Sequence, residues 1–120
     1  MAAPRRILVV GDDRALRDSL RELLEQHGHA VEVCSGGDEA LVRLRAAERG
    51  PAMVIVDLDL LDLSGWGLLE ILRADDRLRD VPVAVLTDDP HLRELEGLTV
   101  VTRPVHEATL LAWCARHLGS

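Results

Sequence analysis

The stretch PAMVIVDLDLLDLSGWGLLEIL, residues 51–72, carries the strongest indication of the fold. Its apolar run MVIV leads directly into Asp57, and further carboxylates follow at Asp59 and Asp62. A short, uninterrupted apolar run is typical of a strand buried on both faces of a parallel sheet. The leucines of GLLEIL then recur at helical spacing. The stretch therefore predicts a buried strand that ends at Asp57, an acidic loop and a helix.

The same alternation of apolar runs and helical patterns continues through the chain. We expect strands at residues 7–10, 30–34, 53–56, 81–87 and 98–101. Helical spacing predicts helices within residues 14–28, 38–50, 65–76 and 107–119, and the segment 88–97 has room for only a short helix. Strands that alternate with helices are typical of a doubly wound α/β domain. We expect one such domain over residues 1–120 and no second domain.

Composition limits the kinds of ligand and the location that the sequence suggests. The net charge is −7, which argues against direct nucleic-acid binding and suits divalent cations or basic partner surfaces. Cys34 and Cys114 lack metal-ligand spacing, so we expect buried thiols of a reducing compartment. No apolar run is long enough for a signal peptide or a membrane span, which favours a cytoplasmic protein without membrane contact.

Polar residues stand where four of the predicted strands end. In an open parallel sheet, ligands bind beyond the carboxyl ends of the strands, so we expect these side chains to meet at the carboxyl-terminal end of the sheet. Taken singly, a strand-end aspartate has a simpler interpretation as a turn or helix cap. Taken together, they suggest an acidic site with one hydroxyl group and one cation. The residues are Asp12, Asp13, Asp57, Thr87, Asp88 and Arg103.

Several segments, in this order and spacing, resemble the receiver domain of two-component response regulators over almost the whole chain. They are ILVVGDDRALRDSLRELLEQHG, VIVDLDLLDLSGWGLLEILR, VPVAVLT and the Arg-Pro of VVTRP. The resemblance implies a flavodoxin-like fold whose five parallel strands lie in the order 2-1-3-4-5. It also implies two-component signalling as the function.

The resemblance assigns a role to each residue at the acidic edge. Asp57 matches the aspartate that accepts a phosphoryl group from a histidine kinase or a phosphotransfer protein. The family uses Mg²⁺, whose ligands here would be Asp12, Asp57 and the backbone carbonyl of Asp59, with Asp13 as an additional candidate.

Two more residues and two kinds of partner follow from the same resemblance. Thr87 and Arg103 match the residues that contact the phosphoryl group and switch the domain. We expect a downstream protein target. A homodimer through the last helix is also compatible with the sequence; its candidate residues are Leu110, Leu111, Trp113 and Leu118.

Five positions depart from the family pattern. Gly11 stands where the family has its first acid, and Arg103 replaces the lysine before the last proline. Asp88 replaces a small residue after the switch threonine. Leu61 replaces a proline, and Val100 replaces an aromatic residue. Because arginine is a planar fork and lysine a point charge, the change at position 103 alters the geometry of the site.

The sequence leaves two alternatives to a phosphorylated receiver. The first is a degenerate receiver that docks on a protein partner without phosphate. The short segment between Thr87 and Arg103 favours it because part of the usual output surface lies there. The second is a phosphatase of the haloacid dehalogenase type, because Asp57-Leu58-Asp59 matches its D-x-D motif. That motif normally follows the first strand, which argues against the second alternative.

Overall fold

A computed structural model of the chain describes residues 5–47, 50–58, 63–89, 91–92, 98–103 and 105–118. Five strands form one sheet, and every neighbouring pair is parallel. The strand order is β2-β1-β3-β4-β5, which confirms the predicted doubly wound topology. The elements are β1 (Ile7–Val10), α1 (Arg14–Gln26), β2 (Val31–Cys34), α2 (Gly37–Ala46), β3 (Met53–Asp57), α3 (Leu63–Ala74), β4 (Val83–Thr87), β5 (Thr99–Thr102) and α4 (Glu107–Leu118).

Helices cover both faces of the sheet, so the domain has three layers. Along β1, Leu8 and Val10 face one core cluster while Ile7 and Val9 face the other, as alternation along a strand requires. The first cluster is closed by leucines and an alanine of α2 and α3. The second is closed by Leu20 and Leu24 of α1 and by residues of α4, which are Leu110, Trp113 and Cys114.

Helix α1 begins and ends with the residues that its sequence indicates. The Asp13 side chain accepts a hydrogen bond from the Leu16 N–H at 3.2 Å, which makes Asp13 the N-cap. Beyond the helix, Gly28 has a φ of +87°, a conformation that favours glycine. His27 Nδ1 lies 2.9 Å from the Leu23 carbonyl oxygen. The cap directs the chain from β1 into α1 directly beside the predicted site.

The connection from β4 to β5 differs from the other crossovers. Among its described residues, which are 88–89, 91–92 and 98, none is helical. The prediction of a short helix at 88–97 falls mainly on residues 90 and 93–97, which lie outside the described part of the chain. Strand β5 follows this connection and forms one edge of the sheet, so it is partly exposed at Thr99–Val101 and exposed at Thr102.

Helix α4 packs against the sheet with most of the residues suggested for a dimer. Leu110 is fully buried and Trp113 is 5% exposed. The Trp113 indole N–H donates to Thr99 Oγ1 at 3.1 Å, which ties α4 to the edge strand. Leu111 also packs against the core. Leu111 is partly buried, and the side chain of Leu118 lies outside the described part of the chain, so a homodimer stays a prediction.

Both cysteines are buried free thiols, as the sequence predicts. In the described part of the chain, no helix combines the length and the hydrophobicity that a membrane span requires.

Candidate functional site

Asp57 lies at the carboxyl end of the fully buried strand β3. It is 2% exposed, and its Cα is paired with that of Leu86 on β4. The Leu58 N–H donates to the Leu86 carbonyl at 3.0 Å, so the ladder continues one residue beyond Asp57 and holds its backbone. A carboxylate so deeply buried needs a compensating charge or hydrogen bonds. The sequence indicated the strand end, and the structure shows that the side chain is enclosed there.

Arg103 provides that compensating charge. The Arg103 N–H donates to the Thr87 carbonyl at 2.8 Å, which fixes its backbone beside β4. Its side chain is 19% exposed, and Nη2 contacts Asp57 Oδ1 directly. Its Nε lies 3.8 Å from Asp88 Oδ1, an ion pair without a hydrogen bond. One guanidinium therefore lies between the carboxylate that ends β3 and the carboxylate that follows β4.

Thr87 ends β4 beside this ion pair and is 1% exposed. Its hydroxyl oxygen accepts the Asp89 N–H at 3.0 Å, which shapes the turn after the strand. In the same turn, Asp89 Oδ1 accepts the His91 N–H at 2.8 Å. The Asp88 side chain is 68% exposed. The turn thus keeps the hydroxyl at the floor of the site and Asp88 at its rim.

Gly11 lies against Asp57 on the other side. Its N–H donates to the Cys34 carbonyl at 3.0 Å. A Cβ atom on Gly11 would lie 3.1 Å from Asp57 Cβ, closer than side chains normally pack. Glycine at position 11 therefore avoids a close contact with Asp57. Asp12 follows and is exposed, while Asp13 is engaged in capping α1.

The residue that sequence reasoning missed is Arg17. It shares the core-facing side of α1 with Leu20 and Leu24, so an arginine occupies a position that helical spacing assigns to the core. Arg17 lines a space beneath Gly11 and Asp57 that has no room for a water molecule. Its Nε is buried and makes no hydrogen bond within the described residues. A charged residue on an apolar helix face was the available signal.

Cys34 ends β2, and its carbonyl accepts the Gly11 N–H. It is fully buried. Burial raises the pKa of its thiol to about 11, although the positive charges of Arg43 and Arg17 act in the opposite direction. The thiol is therefore protonated at neutral pH and is a weak nucleophile.

The donor set of the site suits a weakly held Mg²⁺. Asp57 at the end of β3 and Asp12 in the loop after the neighbouring β1 offer carboxylate oxygens, and Mg²⁺ takes one or two carboxylates while it keeps several waters. Asp13 uses a carboxylate oxygen to accept the Leu16 N–H. Within the described residues, no group of three His, Cys, Asp or Glu side chains is arranged to hold a metal. Two carboxylates therefore remain as the described ligands.

The structure brings most of the predicted site residues together at the carboxyl-terminal end of the sheet. Asp57 and Arg103 are in contact, and Thr87, Asp88 and Gly11 adjoin them. Asp59 and Leu61 lie outside the described residues, and Val100 is a partly buried residue on β5, paired with Val85 on β4.

Comparison with known proteins identifies the family of the chain. The family model of the response regulator receiver domain matches residues 7–112. The chain belongs to this family. Receiver domains are signalling domains that act with histidine kinases and downstream targets in two-component systems. The match covers all the described site residues.

Individual relatives support the same family. Response regulator MprA of Mycolicibacterium vanbaalenii is 44% identical over 84 residues, which are 70% of this chain and 35% of that protein. The chain thus spans about a third of the length of the curated relatives it matches. The receiver domain of a histidine kinase from Syntrophus aciditrophicus is 29% identical, with a TM-score of 0.82 over 96% of this chain and 90% of that one.

A more distant structure supports the fold alone. Chemotaxis response regulator CheY4 of Vibrio cholerae is 21% identical, with a TM-score of 0.82 over 96% of this chain and 99% of that one.

Proposed function

We propose that this receiver domain accepts a phosphoryl group on Asp57 from the phosphohistidine of a histidine kinase or a phosphotransfer protein. The observation that carries the proposal is the ion pair of a buried carboxylate with Arg103, beside a buried threonine hydroxyl. These are the three kinds of group that transfer to a carboxylate requires: a nucleophile, a cation and a hydrogen-bonding group.

The reaction is a single displacement at phosphorus. A carboxylate oxygen of Asp57 attacks the phosphorus, and an O–P bond forms. The P–N bond of the phosphohistidine breaks, and its electron pair remains on the imidazole nitrogen of the donor. The product is an aspartyl phosphate. Arg103, already beside Asp57, offsets the added negative charge, and the Thr87 hydroxyl is positioned at the same strand edge.

Mg²⁺ would neutralise the transferring oxygens and align the reactants when it is bound. Asp12 and Asp57 are the described residues that would hold it, with the Asp59 carbonyl as a further candidate outside the described residues. Its weak donor set leads us to expect that binding needs high Mg²⁺ concentrations.

Intact-mass spectrometry after incubation with acetyl phosphate tests this function. We expect the wild type to gain the mass of one phosphoryl group in the presence of Mg²⁺ and Asp57→Asn to gain none. Asp89→Asn is the matched control, because it removes one nearby charge and keeps the oxygen that caps the turn. It should be phosphorylated like the wild type.

The donor needs its own control because small phosphodonors react slowly with some sites. A phosphorylated histidine kinase therefore replaces acetyl phosphate in a second series. If neither donor modifies the wild type, phosphotransfer to Asp57 is wrong. Binding of a protein partner that is the same in wild type and Asp57→Asn would then favour a docking module.

A further inference from the structure

Arg103 has two carboxylate neighbours, and they differ sharply in environment. Asp57 is 2% exposed and contacts Nη2 directly. Asp88 is 68% exposed, and its Oδ1 lies 3.8 Å from Nε. Because charges attract more strongly where water is excluded, the guanidinium is held chiefly by Asp57 when nothing else binds that carboxylate. Asp88 is the weaker partner, at the rim of the site.

The two partners are reached by different nitrogens of the same planar group. Nη2 points to Asp57 and Nε to Asp88, so one guanidinium spans both carboxylates. The single ammonium of a lysine is a point charge and cannot present two separate edges in this way. The backbone of Arg103 is fixed to Thr87, so only the side chain needs to turn. Arginine at 103 and aspartate at 88 therefore form a matched pair.

We propose that Asp88 is a positioning residue that takes over Arg103 when a divalent cation binds Asp57. A cation on Asp57 Oδ1 competes with the guanidinium for the same oxygen, and two positive charges repel each other there. Asp88 lowers the cost of releasing Arg103 because it offers the displaced charge a partner at the rim. The inference rests on the proposed function only in treating Asp57 as the metal ligand.

Titration with Mn²⁺, followed by the electron paramagnetic resonance signal of the free ion, tests this competition. Mn²⁺ is the probe because it accepts the same carboxylate and water ligands as Mg²⁺. We expect Arg103→Gln to bind Mn²⁺ roughly tenfold more tightly than the wild type, the order of effect of removing one adjacent positive charge. We expect Asp88→Asn to bind Mn²⁺ roughly fivefold more weakly.

Asp89→Asn distinguishes the positioning of Arg103 by Asp88 from the general effect of losing a negative charge near the metal. It removes the same charge one residue further on, and Asp89 forms no ion pair with Arg103 in the described structure. We expect its effect on Mn²⁺ affinity to be less than about twofold. In the Arg103→Gln background, we expect Asp88→Asn to lower the Mn²⁺ affinity no more than Asp89→Asn does in the wild type. The reason is that Asp88 acts through Arg103.

Arg103→Lys provides a conservative comparison. It keeps the positive charge and loses the planar guanidinium. Lysine should therefore still compete with Mn²⁺, whereas Asp88→Asn should no longer weaken Mn²⁺ binding in this background. Thermal unfolding of each variant confirms that it is folded.

Equal effects of Asp88→Asn and Asp89→Asn would overturn the inference. An Asp88→Asn effect that persists unchanged in the Arg103→Gln background would also do so, as would Mn²⁺ binding to neither the wild type nor Arg103→Gln. Binding by Arg103→Gln alone would support it. Coupled Mn²⁺ binding in a chain that accepts no phosphoryl group would leave the inference standing and remove only the proposed function.

Discussion

The central strands β3 and β4 differ from the edge strand β5 in how they hold their parts of the site. Every residue of Met53–Asp57 and Val83–Thr87 is buried, whereas every residue of Thr99–Thr102 is at least partly exposed. Packing therefore positions Asp57 and Thr87, and ionic partners position Arg103, which follows the edge strand. The carboxylate and the hydroxyl are fixed, and the cation is the part of the site that can be redirected.

Alkaline pH gives the largest expected effect on stability. It also tests whether the end of β2, the other edge strand, is buried. Cys34 at the end of β2 and Cys114 in α4 are fully buried, and burial raises the pKa of each thiol from 9.0 to about 11. Below pH 9, both thiols are protonated in the folded and unfolded chains. Between pH 9 and 11 only the unfolded chain loses these protons, so stability falls with rising pH, by roughly 2 to 3 kcal/mol per thiol.

Urea unfolding at a series of pH values from 8 to about 11 measures this loss. The chain has no lysine and no tyrosine, so no other side chain titrates in that window. Cys34→Ala and Cys114→Ala should each remove about half of the pH dependence of the free energy of unfolding. This holds whatever the stability of each variant at pH 8. A profile that stays flat to pH 11 would contradict the burial of both thiols.

Two valines paired across β4 and β5 test the comparison with the same chemical change. Val85 is fully buried, and Val100, its register partner, is partly buried. We expect Val85→Ala to lower the free energy of unfolding by about 2 to 3 kcal/mol and Val100→Ala by about 1 kcal/mol or less. Urea denaturation of both variants measures the difference. Equal losses would show that the edge strand is packed as tightly as its neighbour.

The sequence predicted the central strands well because their signal is local. The runs that became β1 and β3 are continuous and apolar, and the strand order followed from the resemblance to receiver domains. The prediction that Asp57, Thr87 and Arg103 meet at one edge needed only the rule that parallel strands end together.

The pairing of Arg103 with both Asp57 and Asp88 was beyond the sequence, because it depends on side-chain directions across three strands. Arg17 was missed for a related reason. Spacing placed it on the buried face of α1, and propensity alone does not show how a charged side chain is accommodated there. What remained unpredicted is therefore long-range and polar, whereas what was predicted is local and apolar.

Two glycines give the smallest expected effect and test how firmly the buried half of the site is packed. A Cβ on Gly11 would lie 3.1 Å from Asp57 Cβ. A Cβ on Gly67, in α3, would meet no described atom within 4 Å beyond its chain neighbours and the backbone of its own helix. We expect Gly11→Ala to cost about 1 kcal/mol, because either Asp57 or β1 must shift. Gly67→Ala should stabilise the chain by up to about 1 kcal/mol, because alanine is the better helix former.

Thermal unfolding of the two variants compares them directly, and opposite signs are the expected result. If Gly11→Ala is as stable as Gly67→Ala, Asp57 moves aside without cost, and packing does not fix the carboxylate. The expected sign has a further consequence for the site. An aspartate at position 11 would restore the missing acid of the family, yet its Cβ would meet the same contact with Asp57. We therefore expect Gly11→Asp to carry the same packing cost of about 1 kcal/mol as Gly11→Ala.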